Sequence, residues 1–323
     1  GQMLLCHSTH IVMTKEVAET EMHAAKRLQE AIRQETGLIL PFSVGEVREG
    51  DLSLGIAKTL PEQTYEITID EKGGQISGGD GAGVLYGVET FCQIVQQCGG
   101  ILPCVQIQDA PDMPNRGYYF DQTRGRVLKL EELKKIADRM CRYKLNQLQL
   151  YVEHTYLFRD FSEMWRDQTP LTAEEILELD SYCRERHIEL VPSLASFGHL
   201  CTLLSTKTYG DLCEMEDSWK EPFSFWNRMR YHTINVSDER SLPLIKKMIA
   251  EYEMKELPES MICLNWGYAP EQREDETRAI AQTGAVQYLC PGVCGWNQWA
   301  NLIENSYKNI TRMCGYAAKY HGI

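Results

Sequence analysis

A chain of 323 residues, 43% of them hydrophobic, carries enough apolar material for a large core and two domains. Its formal charge of -13 argues against nucleic acid or an anionic membrane surface as partner, because both would repel it, and leaves a neutral or cationic ligand. No stretch approaches the roughly 20 apolar residues of a membrane span, and no signal peptide is visible. The 12 cysteines include no C-x-x-C pair and no regular framework, which reads as reduced, mostly buried thiols. The expected location is therefore cytoplasmic, unless a leader was removed; Gly1 ahead of Gln2 and Met3 reads as the scar of a removed tag.

Residues 11–13 read as a short strand. Residues 17–35 follow as a helix, with Val17, Met22, Ala25, Leu28 and Ile32 at helical spacing and Gly37 placed as its C-cap. Residues 51–57, 65–70 and 75–78 read as strands, the last two joined by a turn over 71–74. A second helix covers 83–95, with Val84, Leu85, Val88, Phe91 and Ile94 along one face. Together these make a small α+β domain over residues 1–104, a sheet backed by two helices. The run GGDGAG at 78–83 lacks the spacing of a dinucleotide fingerprint and a Walker lysine, so its glycines read as a turn needing positive φ before the helix. Residues 105–112 read as the crossover into a larger domain, 105–323.

In that larger domain residues 118–121 form the first expected strand. Residues 130–143 form an amphipathic helix with Leu133, Ile136, Ala137 and Met140 inward, and 148–153 form a second strand ending at Glu153 and His154. A loop holding Tyr156, Phe158, Phe161 and Trp165 follows. Thr172 with Glu175 three residues on is a capping box, opening a helix through Arg186. Strands are expected at 188–194, 233–236, 262–266 and 286–289. Asp238 is expected to cap a helix over 242–252, and further helices cover 271–281 and 301–320. The fold class this alternation implies is α/β: a (β/α)8-type TIM barrel, incomplete in its legible strands, preceded by the small α+β domain. The fourth and fifth strands are not legible, and the eighth would lie beyond Ile323. Sheet edges left open in this way call for a partner chain, here a homo-oligomer.

The carboxyl ends of barrel strands carry the chemistry, and those positions hold Arg116, Asp121, Arg124, Glu153, His154, His199, Asn265, Trp266 and Trp296. Aromatic faces with Arg, His and carboxylates suit a sugar. Each has a plainer alternative. Arg116 can pair with Asp112 in a turn, Asp121 and Arg124 can form a structural ion pair, Trp165 can anchor its loop, and His199, Trp266 and Trp296 can be ordinary wall residues. Neighbours such as Glu153 and His154 point to opposite faces of a strand, and no H-E-x-x-H pattern occurs, so neither a metal nor a cofactor is expected.

The blocks DAPDMPNRGYYFDQTR (109–124), Lys144–Leu145–Asn146 and PSLASFGH (192–199) resemble family 20 glycoside hydrolases, the β-N-acetylhexosaminidases. The small preceding domain resembles the one that precedes the barrel in that family. The resemblance implies removal of terminal β-linked N-acetylhexosamine from a glycan containing N-acetylglucosamine or N-acetylgalactosamine. In such enzymes a Glu protonates the glycosidic oxygen while an adjacent Asp orients the substrate's own acetamide as nucleophile, the substrate-assisted exception among retaining glycosidases. Carried over, Arg116 would grip the 3- and 4-hydroxyls, with Asp121 beside it; His199 would close the third-strand motif; Trp266 and Trp296 would line the acetamide pocket. The chain departs from the pattern at Ser193 and Ala195, where members carry Glu and Asp, and shows no strand ending in Asp–Glu. The nearest pair, Asp238–Glu239, follows a short apolar run; with Glu153 these are the candidate catalytic residues. Three rivals stay open: a non-catalytic glycan-binding protein, an oligomeric scaffold, and a barrel enzyme using Glu153 as its acid.

Overall fold

The structure, a computed structural model, describes residues 1–215, 232–253, 263–293 and 300–322. The chain divides into two compact units: Gly1–Asp112 with Phe120–Ala195, and Met113–Tyr119 with Ser196–Ile323.

The first unit opens with β1 (Gln2–Leu4), β2 (Ile11–Met13), α1 (Lys15–Thr20) and α2 (Met22–Thr36). One helix is expected over 17–35, and two are found. The break falls at Glu21, where φ is -119° and the backbone N–H closes α1 on Val17. The Glu21 carboxylate is buried and meets His187 Nε2 at 2.7 Å, a contact that a continuous helix would have to aim differently. Gly37 ends α2 in the left-handed region at φ 76°, its N–H on the Arg33 carbonyl, as its position predicts.

Next come β3 (Phe42–Val44), β4 (Leu52–Ile56), β5 (Tyr65–Asp70), β6 (Gly73–Gly78), α3 (Gly81–Cys98), β7 (Ile101–Pro103) and β8 (Val105–Asp109). A six-stranded sheet runs β3-β2-β4-β6-β5-β8, parallel from β3 to β6 and antiparallel where β5 meets β6 and β8. In β5 Tyr65, Ile67 and Ile69 are buried while Glu66 and Asp70 are exposed, the period-two alternation of a sheet with one covered face. Helix α3 packs against α2 and on β5 and β6, and Leu28, Ile32, Val84, Val88 and Phe91 are fully buried. Each such side chain contributes about 1.5–3 kcal/mol. Residues 105–109, expected within a crossover, instead form the edge strand of this sheet, with Ile107 opposite Ile67. The GGDGAG glycines also have a different reason from the one expected. Positive φ occurs at Gly73 and Gly99 but not within 78–83. There, side chains are excluded by close backbone approach: an added Cβ at Gly79 would run into the Pro61 carbonyl, and one at Gly83 into that of Thr64.

The unit continues through the end of β9 (Gly117–Asp121), α4 (Leu130–Arg142), β10 (Gln147–Val152), the short α5 (Ser162–Trp165), α6 (Ala173–Arg184) and β11 (Glu189–Leu194). These strands form a sheet in the order β11-β10-β9, with β10 and β11 parallel from Gln147↔Glu189 to Val152↔Leu194. A helix lies between each strand and the next, as parallel connections require. The Thr172–Glu175 capping box is complete, both reciprocal hydrogen bonds being present. Leu148, Leu150 and Val152 are fully buried on one face of β10.

The second unit holds α7 (Cys201–Leu204), a 3-10 turn at Gly210–Leu212, α8 (Ser241–Glu253), β12 (Cys263–Gly267), α9 (Asp275–Gln282), β13 (Gln287–Pro291) and α10 (Ile303–Tyr320). Strands β12 and β13 are parallel neighbours with α9 between them. Residues 233–236, expected as a strand, contribute one antiparallel bridge, Cys213 with Ile234. The described residues thus give an α/β fold with βαβ units resembling part of a TIM barrel. No helix among them is long and apolar enough to cross a membrane. Among the described residues ten cysteines are free, including the buried Cys92, Cys141, Cys183 and Cys213.

Candidate active site

At the carboxyl end of β9 the Asp121 carboxylate accepts from the backbone N–H groups of Thr123 (2.9 Å) and Arg124 (3.1 Å) and from Arg124 Nε (2.6 Å). The ion pair that stood as the plainer alternative for these two residues is present, and it is also a turn that fixes the chain leaving the strand. The Arg124 guanidinium carbon lies 5.4 Å from the centre of the Tyr151 ring. Burial opposes the Arg124 charge, but Asp121, Glu153 and Tyr151 outweigh it and hold the guanidinium more firmly protonated than usual.

Glu153 follows the end of β10, on the same strand face as Tyr151. The Tyr151 hydroxyl donates to Glu153 Oε1 at 2.8 Å, and the Glu153 N–H donates to Thr123 Oγ1 at 2.9 Å. His154, next in chain, is lowered by burial and so favours its neutral imidazole. Asp121, Arg124, Tyr151 and Glu153 thus form one cluster within the first unit. Sequence reasoning missed Tyr151, although its position two residues before Glu153 was the available signal.

In the second unit Arg116 Nη1 donates to the carbonyls of Met113 (2.6 Å) and Pro114 (3.1 Å), which sets the plane of its guanidinium from its own turn. Trp266, on β12, is 37% exposed, and its ring meets Tyr119 edge-on at 4.5 Å and Tyr268 at 6.2 Å. The three rings form a half-open aromatic cluster. Its neighbour Asn265, placed among the rim residues by sequence, is buried instead. Its amide nitrogen donates to Thr277 Oγ1 at 3.1 Å and Gln287 Oε1 at 3.3 Å, on the strand face opposite Trp266. Tyr119 and Tyr268 were missed; the second lies two residues past Trp266, at same-face spacing.

His199 sits in the left-handed region at φ 62°, with its ring 4.2 Å from that of buried His232. Two backbone bonds, Leu200 N–H to His232 and Ile234 N–H to Phe197, tie these segments together. Asp238 accepts from Arg240 at its backbone N–H (2.9 Å), Nε (3.0 Å) and Nη2 (2.7 Å), and Arg240 also reaches Asp211 at 2.8 Å. Arg240 holds the Asp238 carboxyl down at about 2. Asp238 thus lies ahead of α8 without the strand-end setting expected for a catalytic pair, and Glu239 beside it is exposed. Trp296 lies outside the described residues. Among the described residues no three His, Cys, Asp or Glu side chains converge as metal ligands would.

A family model described as glycosyl hydrolase family 20, domain 2, matches residues 1–110. The Beta-hexosaminidase of Akkermansia muciniphila is 30% identical over 162 residues, covering 44% of this chain and 33% of that protein. That of Porphyromonas gingivalis is 26% identical over 216 residues, covering 58% and 28%. The matches thus span about a third or less of these curated relatives. A mutant Streptomyces plicatus beta-hexosaminidase, solved in complex with product (GlcNAc), matches with a TM-score of 0.77 at 17% identity, over 95% of this chain and 77% of that one. The chain is homologous to family 20 beta-hexosaminidases at low identity, as a divergent relative, and its parallel strands resemble part of their barrel fold.

Proposed function

We propose that the chain acts as a hexosaminidase-type glycoside hydrolase, removing terminal β-linked N-acetylhexosamine with retention through the substrate's own acetamide. The observation that carries this reading is the fold match along 95% of the chain to an enzyme solved with GlcNAc. Residues 1–109 are read as the small domain, with β8 as the edge strand of its sheet, and the residues after them as the barrel domain.

In this reading Arg116 grips sugar hydroxyls with a guanidinium whose plane its own turn sets, and Trp266, with Trp296, walls the acetamide. His199 closes the site from the loop after β11. The reaction needs an anion that accepts the acetamide N–H and steadies the developing oxazolinium, and an acid that protonates the leaving oxygen. Asp238, held ionised, suits the first role, and Glu239 is the acid beside it. Arg240 competes for the same Asp238 oxygens, so substrate must displace part of that pairing.

A second reading, glycan binding without turnover, draws on this engagement of Asp238 and on the exposure of Glu239. Calorimetry with N-acetylglucosamine, run beside an aryl N-acetyl-β-glucosaminide turnover assay, separates the two. Binding with turnover supports the hydrolase, and binding alone supports the lectin-like reading. Arg116→Ala should weaken binding more than about tenfold, the cost of one lost charged hydrogen bond. Unchanged affinity removes the hydroxyl grip from Arg116.

A further inference from the structure

Strand β10 carries two files of side chains. Leu148, Leu150 and Val152 are fully buried, as in an ordinary strand interior. The other file is polar. Gln149 Nε2 donates to Gln147 Oε1 at 2.8 Å, and Gln147 Nε2 to Glu189 Oε2 on β11 at 2.9 Å. Its last members are Tyr151 and, one step past the strand, Glu153. Tyr151 lies opposite Ser193 on β11 and is 8% exposed, so its ring is confined.

The geometry points to Tyr151 as a positioning residue for Glu153, with Asp121 and Arg124 acting through Tyr151 rather than on substrate. The Asp121 carboxylate holds Arg124 at 2.6 Å, the Arg124 guanidinium stands over the Tyr151 ring, and the Tyr151 hydroxyl donates to Glu153 Oε1 at 2.8 Å. The backbone of Glu153 is fixed through Thr123, which is itself tied to Asp121 and whose hydroxyl lies 3.1 Å from that of Thr155. An O–H donor on one oxygen and a guanidinium nearby both favour the carboxylate over the acid. Glu153 is thereby an oriented anion, suited to accept a hydrogen bond or proton, and the proton-donor role passes to another residue. Among the described residues, Asp121, Arg124, Tyr151 and His154 are titratable groups near Glu153 at this strand end. Only the effect on turnover rests on the hydrolase reading.

The test is the Tyr151→Phe variant of the full chain, which keeps the ring and removes the donor. The Glu153 carboxyl is followed by carbon-13 NMR titration, beside kcat and KM on an aryl N-acetyl-β-glucosaminide. The expected result is a Glu153 titration about one pH unit higher, with kcat about tenfold lower and KM moved less than about twofold. Arg124→Met, at a partly exposed position, should move the titration the same way. A Glu153 titration unmoved in both variants overturns the proposal. A moved titration in a chain that never turns over substrate supports the positioning and counts against the hydrolase reading.

Discussion

Lys144 Nζ lies 2.6 Å from the hydroxyl oxygen of Tyr65, 79 residues away in sequence. The same ammonium donates to Thr90 Oγ1 at 2.8 Å, and the Tyr65 hydroxyl donates onward to Asp109 Oδ2 at 2.7 Å. Lys144 adopts φ 58° as the chain turns out of α4, a left-handed conformation that costs about 1 kcal/mol for a residue with a Cβ. The turn aims the side chain back at α3, β5 and β8. In the sequence the K-x-N block looks like part of the barrel motif; in the fold its lysine joins the α4–β10 turn to the six-stranded sheet. Lys144→Met should lower stability by about 1–3 kcal/mol, read as a fall in the urea midpoint. An unchanged midpoint would show that the cluster contributes nothing net.

Two glycines should respond oppositely to alanine. At Gly79 the new methyl meets the Pro61 carbonyl, so backbone must move, and a loss of about 2–3 kcal/mol is expected. At Gly315, inside α10, an added Cβ meets open space, and helix propensity should raise stability by about 0.5–1 kcal/mol. Thermal melts of the two variants check both signs. A neutral Gly79→Ala would remove the close-approach account of the GGDGAG run.

His23 supplies a pH signature. Burial, reinforced by the Arg186 charge, pulls its imidazole down to about 4 from an ordinary 6.5. The unfolded chain therefore binds a proton here between about pH 6.5 and 4 that the folded chain does not. Stability should rise with pH across that window and level off above it. The ring is partly exposed, so solvent screening reduces the effect to roughly 1 kcal/mol. Urea midpoints from pH 4 to 7 should show a shallower slope in His23→Asn than in the parent; identical slopes would contradict the assignment.

At the aromatic cluster, Trp266→Ala should cost N-acetylglucosamine affinity by roughly tenfold or more, because a stacked indole is among the larger single contributions in such sites. Titration calorimetry reads this directly. Affinity equal to the parent would make the Tyr119–Trp266–Tyr268 contact ordinary packing.

Much of the fold was legible where local chemistry and tertiary role agree. The alternation in 65–70 marks β5 to the residue, Thr172 and Glu175 mark the start of α6, and Gly37 marks the end of α2. Illegible were features whose cause lies far away in sequence. The break at Glu21 accompanies its contact with His187, 166 residues on. Strand β8 pairs with β5 across about 40 residues, and its V-Q-I-Q alternation stood beside prolines that suggested a connection. The three-residue strands β1 and β7 carry too little pattern to find. Residue types pointed to Glu153 in the first unit and to Arg116 and Trp266 in the second. The partners of Glu153 and Trp266, Tyr151 and Tyr119, emerged only from pairing and ring geometry, and Asn265 was misplaced because neighbours on a strand face opposite ways.

The measurement that tests the hydrolase reading most directly compares two aryl β-glycosides, one of N-acetylglucosamine and one of glucose, with the full chain as catalyst. Substrate-assisted chemistry has no nucleophile without the acetamide. The account predicts turnover of the first and a rate at least about a thousandfold lower for the second, the scale of a lost, well-placed intramolecular nucleophile. Comparable hydrolysis of both would contradict it and return Glu153 to the place of an enzyme-borne catalytic group.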